Sequence, residues 1–227
     1  MITTVVFDLD DTLYDEINYC RSGFLAVSRF LARVADVSCS DDVFACLWRH
    51  FTSGNRTRTF NAALKNLGIG YGEALIAQLV EVYRFHCPAI ELPADSRAAL
   101  DQLSGAYTLA LLTDGYLPAQ RLKVEALGLE RYFQDIVYTE ELGREFWKPS
   151  PAGFERLIET LGVSPAQMAY VADNEAKDFI APNHLGMLTV RITRPACLHT
   201  AVGCGPGAAA KVSIERLSEL SGTLRGV

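Results

Sequence analysis

Apolar side chains follow a helical period over the first third of the chain. Between residues 15 and 90 they recur at steps of three and four, as in the series Ile17, Cys20 and Phe24, which is the pattern of amphipathic helices buried on one face. Ser40 or Asp41 is expected at the N-cap of the second helix. The predicted helices cover residues 17–34, 41–51, 60–67 and 73–86.

The pattern changes from about residue 96, where short apolar runs alternate with helical stripes. Such runs predict buried strands, and one of them precedes the helical segment. The predicted strands cover 2–7, 107–112, 135–138, 169–172 and 188–192, and the helices between them cover 96–103, 118–127, 151–161 and 175–185. Residues 195–210 predict a Gly/Ala/Pro-rich loop, and a final short strand and helix are expected over 211–221.

Strands that alternate with helices at this spacing predict an α/β fold with a doubly wound parallel sheet. We expect residues 1–14 and 91–227 to form this core, and residues 15–90 to form a helical insert. Sites in open α/β sheets lie beyond the carboxyl ends of the strands. The residues that follow each strand are therefore the first candidates for chemistry.

Charge and composition narrow the class of protein. The 227 residues include 27 acidic and 21 basic side chains, a net charge of −6, which argues against non-specific nucleic-acid binding. No apolar run reaches about 18 residues, and no basic segment precedes an apolar one at the start, so we expect no membrane span, no secretory signal and a cytoplasmic location. The six cysteines include no CxxC pair, and reduced, partly buried thiols are expected.

Two carboxylates follow the first predicted strand. Residues two apart in an extended chain point the same way, so Asp8 and Asp10 are expected to face one site while Leu9 turns into the core. Carboxylates held close together repel, so the pair needs a cation beside it or one of the two takes a proton. The pair suits Mg²⁺, which prefers oxygen ligands, and it also suits a division of labour between a nucleophile and a general acid/base. The alternative for a bare DxD sequence is a solvated turn.

Polar residues also follow three later strands. Thr113-Asp114-Gly115 could present a hydroxyl and backbone N–H groups to a phosphate oxygen, or it could be a helix-capping turn. Lys148 precedes a proline, which favours a defined direction, although a surface lysine is the simpler alternative. Asp173 ends a strand, and Asp178 is expected about one turn into the helix that follows; an N-cap role is the alternative for Asp173. Four polar clusters at four strand ends can converge on one site.

This set resembles the four motifs of the haloacid dehalogenase superfamily. FDLDDTL at residues 7–13 resembles the first motif, Thr113 the second, Lys148 the third, and Asp173 with Asp178 the fourth. The resemblance spans nearly the whole chain and implies a Rossmann-like core with a helical cap inserted after the first motif.

The resemblance also implies roles. Asp8 would be the nucleophile that forms an aspartyl-phosphate, and Asp10 the general acid/base. Mg²⁺ would be bound by the Asp8 carboxylate, the Asp10 backbone carbonyl and Asp173, while Asp178 orients the site. Thr113, Asp114 and Lys148 would form the phosphate-binding segment. Members that cleave carbon–halogen bonds lack the acid at the position of Asp10, so its presence favours phosphoryl transfer.

Two positions depart from the family pattern. Ala172 stands where the family usually has glycine, and Asp114 stands where many members have asparagine. Because its charge would repel a phosphate, we expect the Asp114 side chain to point away from that group.

The substrate is predicted only as a class. A cap suits a small phosphorylated metabolite, such as a sugar phosphate or a nucleoside monophosphate. Arg56 and Arg58 could bind an anionic substrate, or they could belong to a solvated loop. Tyr14 and Tyr116 are further candidates for the pocket lining.

Three rival functions remain at this stage. A phosphomutase of the same superfamily would use the same Asp8 and Asp10. A receiver-like signalling domain is disfavoured because its acidic pair precedes the phosphorylated strand. A catalytically silent binding protein on the same fold is disfavoured by the intact motif set. The chain is expected to be a monomer or a homodimer.

Overall fold

The computed structural model describes residues 1–35, 39–198, 205 and 207–226. The chain divides into two compact units. The core unit comprises Met1–Ile17 and Glu91–Val227, and the helical unit comprises Asn18–Ile90. The assignment of the helical unit as a substrate cap stays a prediction.

The core unit is built on one six-stranded sheet in which every neighbouring pair is parallel. The order across the sheet is β3-β2-β1-β4-β5-β6. The chain therefore winds outward in one direction from β1 and then in the other from β4. The predicted α/β fold with a doubly wound parallel sheet is confirmed. The strands are β1 Thr4–Phe7, β2 Thr108–Thr113, β3 Asp135–Tyr138, β4 Met168–Ala172, β5 Leu188–Ile192 and β6 Val212–Ile214.

The order of the strands reverses between β1 and β4, which is where open α/β sheets bind ligands. Phe7 lies opposite Val171 of β4 and Leu111 of β2. All four residues of β1 and all five of β4 are buried, as expected for central parallel strands covered on both faces. The residues immediately after these two strands are thus fixed by the most deeply buried part of the sheet.

Helices flank the strands and form the helical unit. Those in the described residues are α1 Glu16–Val34, α2 Ser40–Thr52, α3 Thr59–Asn66, α4 Glu73–Phe85, α5 Ala94–Ser104, α6 Leu117–Ala126, α7 Ala152–Leu161, α8 Ile180–Leu185 and α9 Leu220–Arg225. In the described part of the chain, none of them is both long and apolar enough to cross a bilayer.

Two predictions about helix starts are wrong. The helix expected over 175–185 begins only at Ile180, because residues 174–178 form a turn. Neither Ser40 nor Asp41 occupies the N-cap of α2: Cys39 does, without a side-chain hydrogen bond. Asp41 and Asp42 lie in the first turn of α2, and their charges stabilise the N-terminal end of the helix through its dipole.

Aromatic rings form the interior of the helical unit. The Phe24 ring lies 5.2 Å from that of Phe51 and 5.3 Å from that of Tyr83, with Trp48 and Phe60 slightly farther away. Gly23 permits this packing, because a Cβ there would lie 2.5 Å from the Tyr83 ring. Five cysteines are free, and Cys204 and part of the predicted 195–210 loop lie outside the described residues.

Candidate active site

The Asp8 carboxylate lies at the carboxyl end of β1, in the middle of the sheet. Its backbone N–H donates to the Val171 carbonyl oxygen at 2.9 Å, which continues the ladder between β1 and β4 by one residue. The side chain is nearly inaccessible to solvent. Leu9 is fully buried, as predicted from the alternation of side chains.

Lys148 is the cation of this site. Its Nζ lies 2.6 Å from Asp8 Oδ1, 2.8 Å from Asp178 Oδ1 and 2.9 Å from the Tyr170 hydroxyl oxygen. Its side chain is 1% exposed, so the surface alternative considered for this lysine is excluded. Burial would lower the pKa of Lys148, but Asp178 and Asp8 raise it well above its usual value. The ammonium is therefore a permanent charge.

The loop after β4 brings two more carboxylates to the same place. Asp173 directly follows the strand, and Asp178 ends a turn in which Asn174 Oδ1 accepts the Ala176 N–H. The Asp178 carboxylate in turn accepts the Asn174 N–H at 3.0 Å. Asp178 thus faces the site from a turn rather than from the predicted helix.

These acids form a set that fits a divalent cation. One carboxylate oxygen each from Asp8, Asp173 and Asp178 lies within 4.8 Å of the others. Burial raises the pKa of Asp8 to about 7, against the opposing effect of Lys148, and burial together with Asp8 raises that of Asp173 to about 8. Buried oxygen ligands that repel one another are the donor set that hard ions such as Mg²⁺ prefer. A second trio, Asp11, Asp173 and Cys197, also has its ligand atoms within 4.8 Å of one another and shares Asp173.

Asp114 is surrounded by donors. Its Oδ1 accepts the Thr139 hydroxyl at 2.8 Å and the Lys148 N–H at 3.2 Å, and its Oδ2 lies 3.2 Å from Lys177 Nζ. Burial would raise the pKa of Asp114, but Lys148 and Lys177 lower it overall. The carboxylate therefore holds the loop that carries Lys148. Whether it points away from a phosphate stays a prediction.

Asp10 has a separate set of partners. Lys123 Nζ lies 2.8 Å from both of its carboxylate oxygens, Gln120 Nε2 donates to Oδ2 at 2.9 Å, and the Tyr14 hydroxyl donates to Oδ1. Burial would raise the pKa of Asp10, but Lys123 lowers it overall. The expectation that both carboxylates face one site assumed extended chain, whereas β1 ends at Phe7.

Gln120 links the two groups of residues. The same Nε2 that donates to Asp10 lies 2.7 Å from Thr113 Oγ1 and 2.8 Å from the Asp114 carbonyl oxygen. Gly115 gives it room: with φ at +135°, a Cβ there would lie 2.9 Å from Gln120 Cδ. Thr113, predicted to bind phosphate, is buried at the end of β2 and connected to Asp10 through this amide.

Of the candidates for substrate selection, two tyrosines lie in the core unit. Tyr14 is fully buried, and its hydroxyl donates a hydrogen bond to the Asp10 carboxylate. Tyr116 precedes α6, packs edge-on against Trp147 and lies under the Arg144 guanidinium. Arg56 and Arg58 lie on an exposed loop of the helical unit, and their role toward a substrate stays a prediction.

Four residues around the site were not predicted from the sequence. Gln120 and Lys123 lie three residues apart, one turn along α6, and both are buried. A pair of polar residues on the apolar face of a predicted helix was the feature of the sequence that could have indicated them. Tyr170 interrupts an otherwise small and apolar strand, and a buried phenol needs a partner. Lys177 precedes Asp178 in the sequence, and this position within the fourth motif was the one feature that distinguished it from other lysines.

Residues 2–186 match the family described as haloacid dehalogenase-like hydrolases. The chain belongs to the haloacid dehalogenase-like hydrolase family. The resemblance inferred from the four motifs is thereby confirmed.

Relatives of this hydrolase carry phosphatase names. The glyceraldehyde 3-phosphate phosphatase of Methanopyrus kandleri is 31% identical over 203 residues, which cover 86% of this chain and 85% of the relative. The N-acylneuraminate-9-phosphatase of Rattus norvegicus is 30% identical over 194 residues, covering 78% and 76%. With the family match, these names confirm the expected enzyme class, a phosphoric monoester hydrolase.

Solved structures share the fold of the hydrolase. The magnesium-bound HAD-hydrolase YfnB from Bacillus subtilis superposes with a TM-score of 0.69 at 23% identity, covering 98% of each chain. The HAD phosphatase from Thermococcus onnurineus gives a TM-score of 0.63 at 25% identity, covering 99% of each chain. The agreement over nearly complete chains confirms the Rossmann-like architecture.

Proposed function

We propose that this hydrolase is a Mg²⁺-dependent phosphatase that acts on a small phosphorylated metabolite through an aspartyl-phosphate on Asp8. The observation that carries the proposal is the buried group of Asp8, Asp173 and Asp178 around the Lys148 ammonium. It combines a carboxylate nucleophile, oxygen ligands for a hard cation and a fixed positive charge. Phosphoryl transfer through an aspartyl-phosphate would use all three elements.

The first step is attack by an Asp8 carboxylate oxygen on phosphorus. A new P–O bond forms to Asp8, the ester P–O bond breaks, and its electron pair leaves with the substrate oxygen, which takes up a proton. In the second step water attacks the same phosphorus, the bond to Asp8 breaks, and inorganic phosphate is released. Lys148 keeps Asp8 oriented and offsets negative charge through both steps.

Asp10 is our candidate for the proton transfers. Lys123 holds its carboxylate ionised, and this is the form that accepts a proton from the attacking water. Donation to the leaving oxygen requires the protonated acid, which is the form that Asp10 has after it takes the proton from water in the previous cycle. Thr113 and Asp114 complete the phosphate-binding segment.

The residues present fit a magnesium ion. The Asp8 and Asp173 carboxylates, together with the Asp10 backbone carbonyl, would hold it, and Asp178 would orient both Lys148 and the loop after β4. Bound Mg²⁺ would offset the charge of the phosphoryl oxygens, which otherwise opposes the approach of a carboxylate.

Small metabolites are the proposed substrates, with sugar phosphates and nucleoside monophosphates as the first classes to test. Support comes from the relatives, whose names specify glyceraldehyde 3-phosphate and N-acylneuraminate 9-phosphate. Both are phosphate monoesters of small polyhydroxylated or carbonyl compounds.

The test is phosphate release from an aryl phosphate, with Mg²⁺ or with EDTA, by wild type and by Asp8→Asn. The amide keeps the shape of Asp8 but is a poor nucleophile, so we expect turnover to fall at least about 10³-fold. Asp101→Asn, an exposed position in α5, is the matched control and should keep full activity. A silent wild type, followed by silence on a metabolite panel, would favour a binding protein or a mutase; equal rates for wild type and Asp8→Asn would exclude the covalent mechanism.

A further inference from the structure

Lys148 has little capacity left to bind a substrate. Its Nζ donates hydrogen bonds to Asp8 Oδ1 at 2.6 Å and to the Tyr170 hydroxyl oxygen at 2.9 Å, and Asp178 Oδ1 lies 2.8 Å away as an ion-pair partner. The side chain is also almost completely buried. Two of the three N–H donors of Lys148 are therefore engaged, and the ammonium acts on an incoming phosphoryl group mainly through its charge.

Lys177 is a second ammonium close to the same acids. Its Nζ lies 3.2 Å from Asp114 Oδ2, and the same oxygen lies 4.0 Å from Lys148 Nζ. In contrast to Lys148, its side chain is 35% exposed. In the described part of the chain, Asp114 is the one ion-pair partner of Lys177. It accepts one of the three N–H groups of the Lys177 ammonium.

The charged groups of the site act on the Lys177 ammonium. Burial and Lys148 would lower the pKa of Lys177, but Asp178, Asp8 and Asp114 raise it overall. Lys177 in turn lowers the pKa of Asp8. By its position, the ammonium lies beside Asp114, whose carboxylate also faces Lys148, and it is accessible from the solvent side.

We propose that Lys177 binds the transferred phosphoryl group directly, with its N–H donors on a non-bridging phosphate oxygen and with Asp114 as its resting partner. The proposal rests on the phosphatase function argued above and adds a binding residue to it. Lys148 then supports the nucleophile, while Lys177 supplies the direct contact to the phosphate.

The competing explanation is that Lys177 only offsets the charge of Asp114. A double-mutant cycle separates the two. The quantity measured is the dissociation constant of inorganic phosphate, by calorimetry in saturating Mg²⁺, for Lys177→Gln made in the wild type and in Asp114→Asn. We expect Lys177→Gln to weaken phosphate binding about tenfold in both backgrounds, a change of about 1.4 kcal/mol.

Controls make the comparison specific. Lys177→Arg keeps a cation and should stay within about threefold of wild type, and Arg156→Gln removes an exposed cation from α7 and should have no effect. Melting temperatures establish that each variant is folded. Loss of the effect in the Asp114→Asn background, or unchanged phosphate affinity in Lys177→Gln, would overturn the proposal.

The design also separates this proposal from the phosphatase function. A wild type that binds phosphate but releases none from monoesters contradicts the function while the binding cycle can still be read. A wild type that hydrolyses monoesters, but whose phosphate affinity does not depend on Lys177, contradicts this proposal alone.

Discussion

The Lys148 ammonium, the Asp8 and Asp178 carboxylates and the Tyr170 hydroxyl form one buried polar group whose members depend on one another. Removing a single member leaves one donor or acceptor of its neighbour unsatisfied in a region that excludes water, and such a buried group costs about 1–3 kcal/mol. The ring of Tyr170 is fixed as well, because it packs edge-on against Phe154 at 4.8 Å. The hydroxyl can therefore be removed without disturbing the packing.

Tyr170→Phe tests this dependence at a single atom. We expect the free energy of unfolding to fall by about 1–2 kcal/mol and turnover to fall several-fold, because one N–H of Lys148 loses its acceptor. Urea unfolding and phosphate release measure the two effects. Tyr132→Phe removes a hydroxyl that bonds to Asp101 at the surface and should cost much less. Equal losses in the two variants would show that the Tyr170 hydroxyl does not support the site.

At the scale of elements, α6 connects the second motif to Asp10. The helix begins two residues after Gly115, and its first two turns carry Gln120 and Lys123 on the buried face. Through them one short helix contacts both Thr113 and Asp10. The position of Asp10 is therefore a property of α6 as much as of the loop after β1.

Lys123→Met removes the buried cation of α6 and leaves the Asp10 charge without its main partner. Breaking a buried pair typically costs about 3–5 kcal/mol. Because the Asp10 side chain is 20% exposed, we expect about 2–3 kcal/mol, measured by urea unfolding. Arg121→Gln on the same helix removes an exposed cation paired with Glu141 and should change stability by less than about 1 kcal/mol. Similar values for both variants would contradict the proposed dependence of Asp10 on Lys123.

Periodicity predicted the elements of this fold well, and it failed where side chains determine the backbone. The predicted strands are all present because buried parallel strands consist of short, continuous apolar runs. The start of α8 could not be predicted, since a bond from the Asn174 N–H to Asp178 replaces the first helical turns. The separate surroundings of Asp8 and Asp10 were equally hidden, because two partners of Asp10, Gln120 and Lys123, lie more than a hundred residues away in the chain.

At the scale of the whole molecule, the site places buried carboxyl groups that repel one another in the centre of the sheet. The Asp8 and Asp173 carboxylates follow the two central strands, and burial raises the pKa of each far above that of an exposed aspartate. Between about pH 4 and the raised values, the folded chain therefore binds more protons than the unfolded chain. By linkage, the stability of the metal-free protein falls as the pH rises through this window.

The proposed Mg²⁺ should oppose this trend, because it would bind the ionised carboxylates and only in the folded chain. In EDTA we expect the melting temperature to rise as the pH is lowered from 8 toward 5, with up to about 1.4 kcal/mol per pH unit from each shifted carboxyl. The increase produced by Mg²⁺ should be largest at pH 8 and should shrink toward pH 6, since protons then compete for Asp8 and Asp173. Thermal scans at three pH values with EDTA or Mg²⁺ measure both effects.

Asp173→Asn removes one titrating ligand, so its pH slope in EDTA should be shallower and its response to Mg²⁺ smaller. A Mg²⁺ response that is independent of pH, or unchanged in Asp173→Asn, would mean that the ion binds elsewhere on the chain.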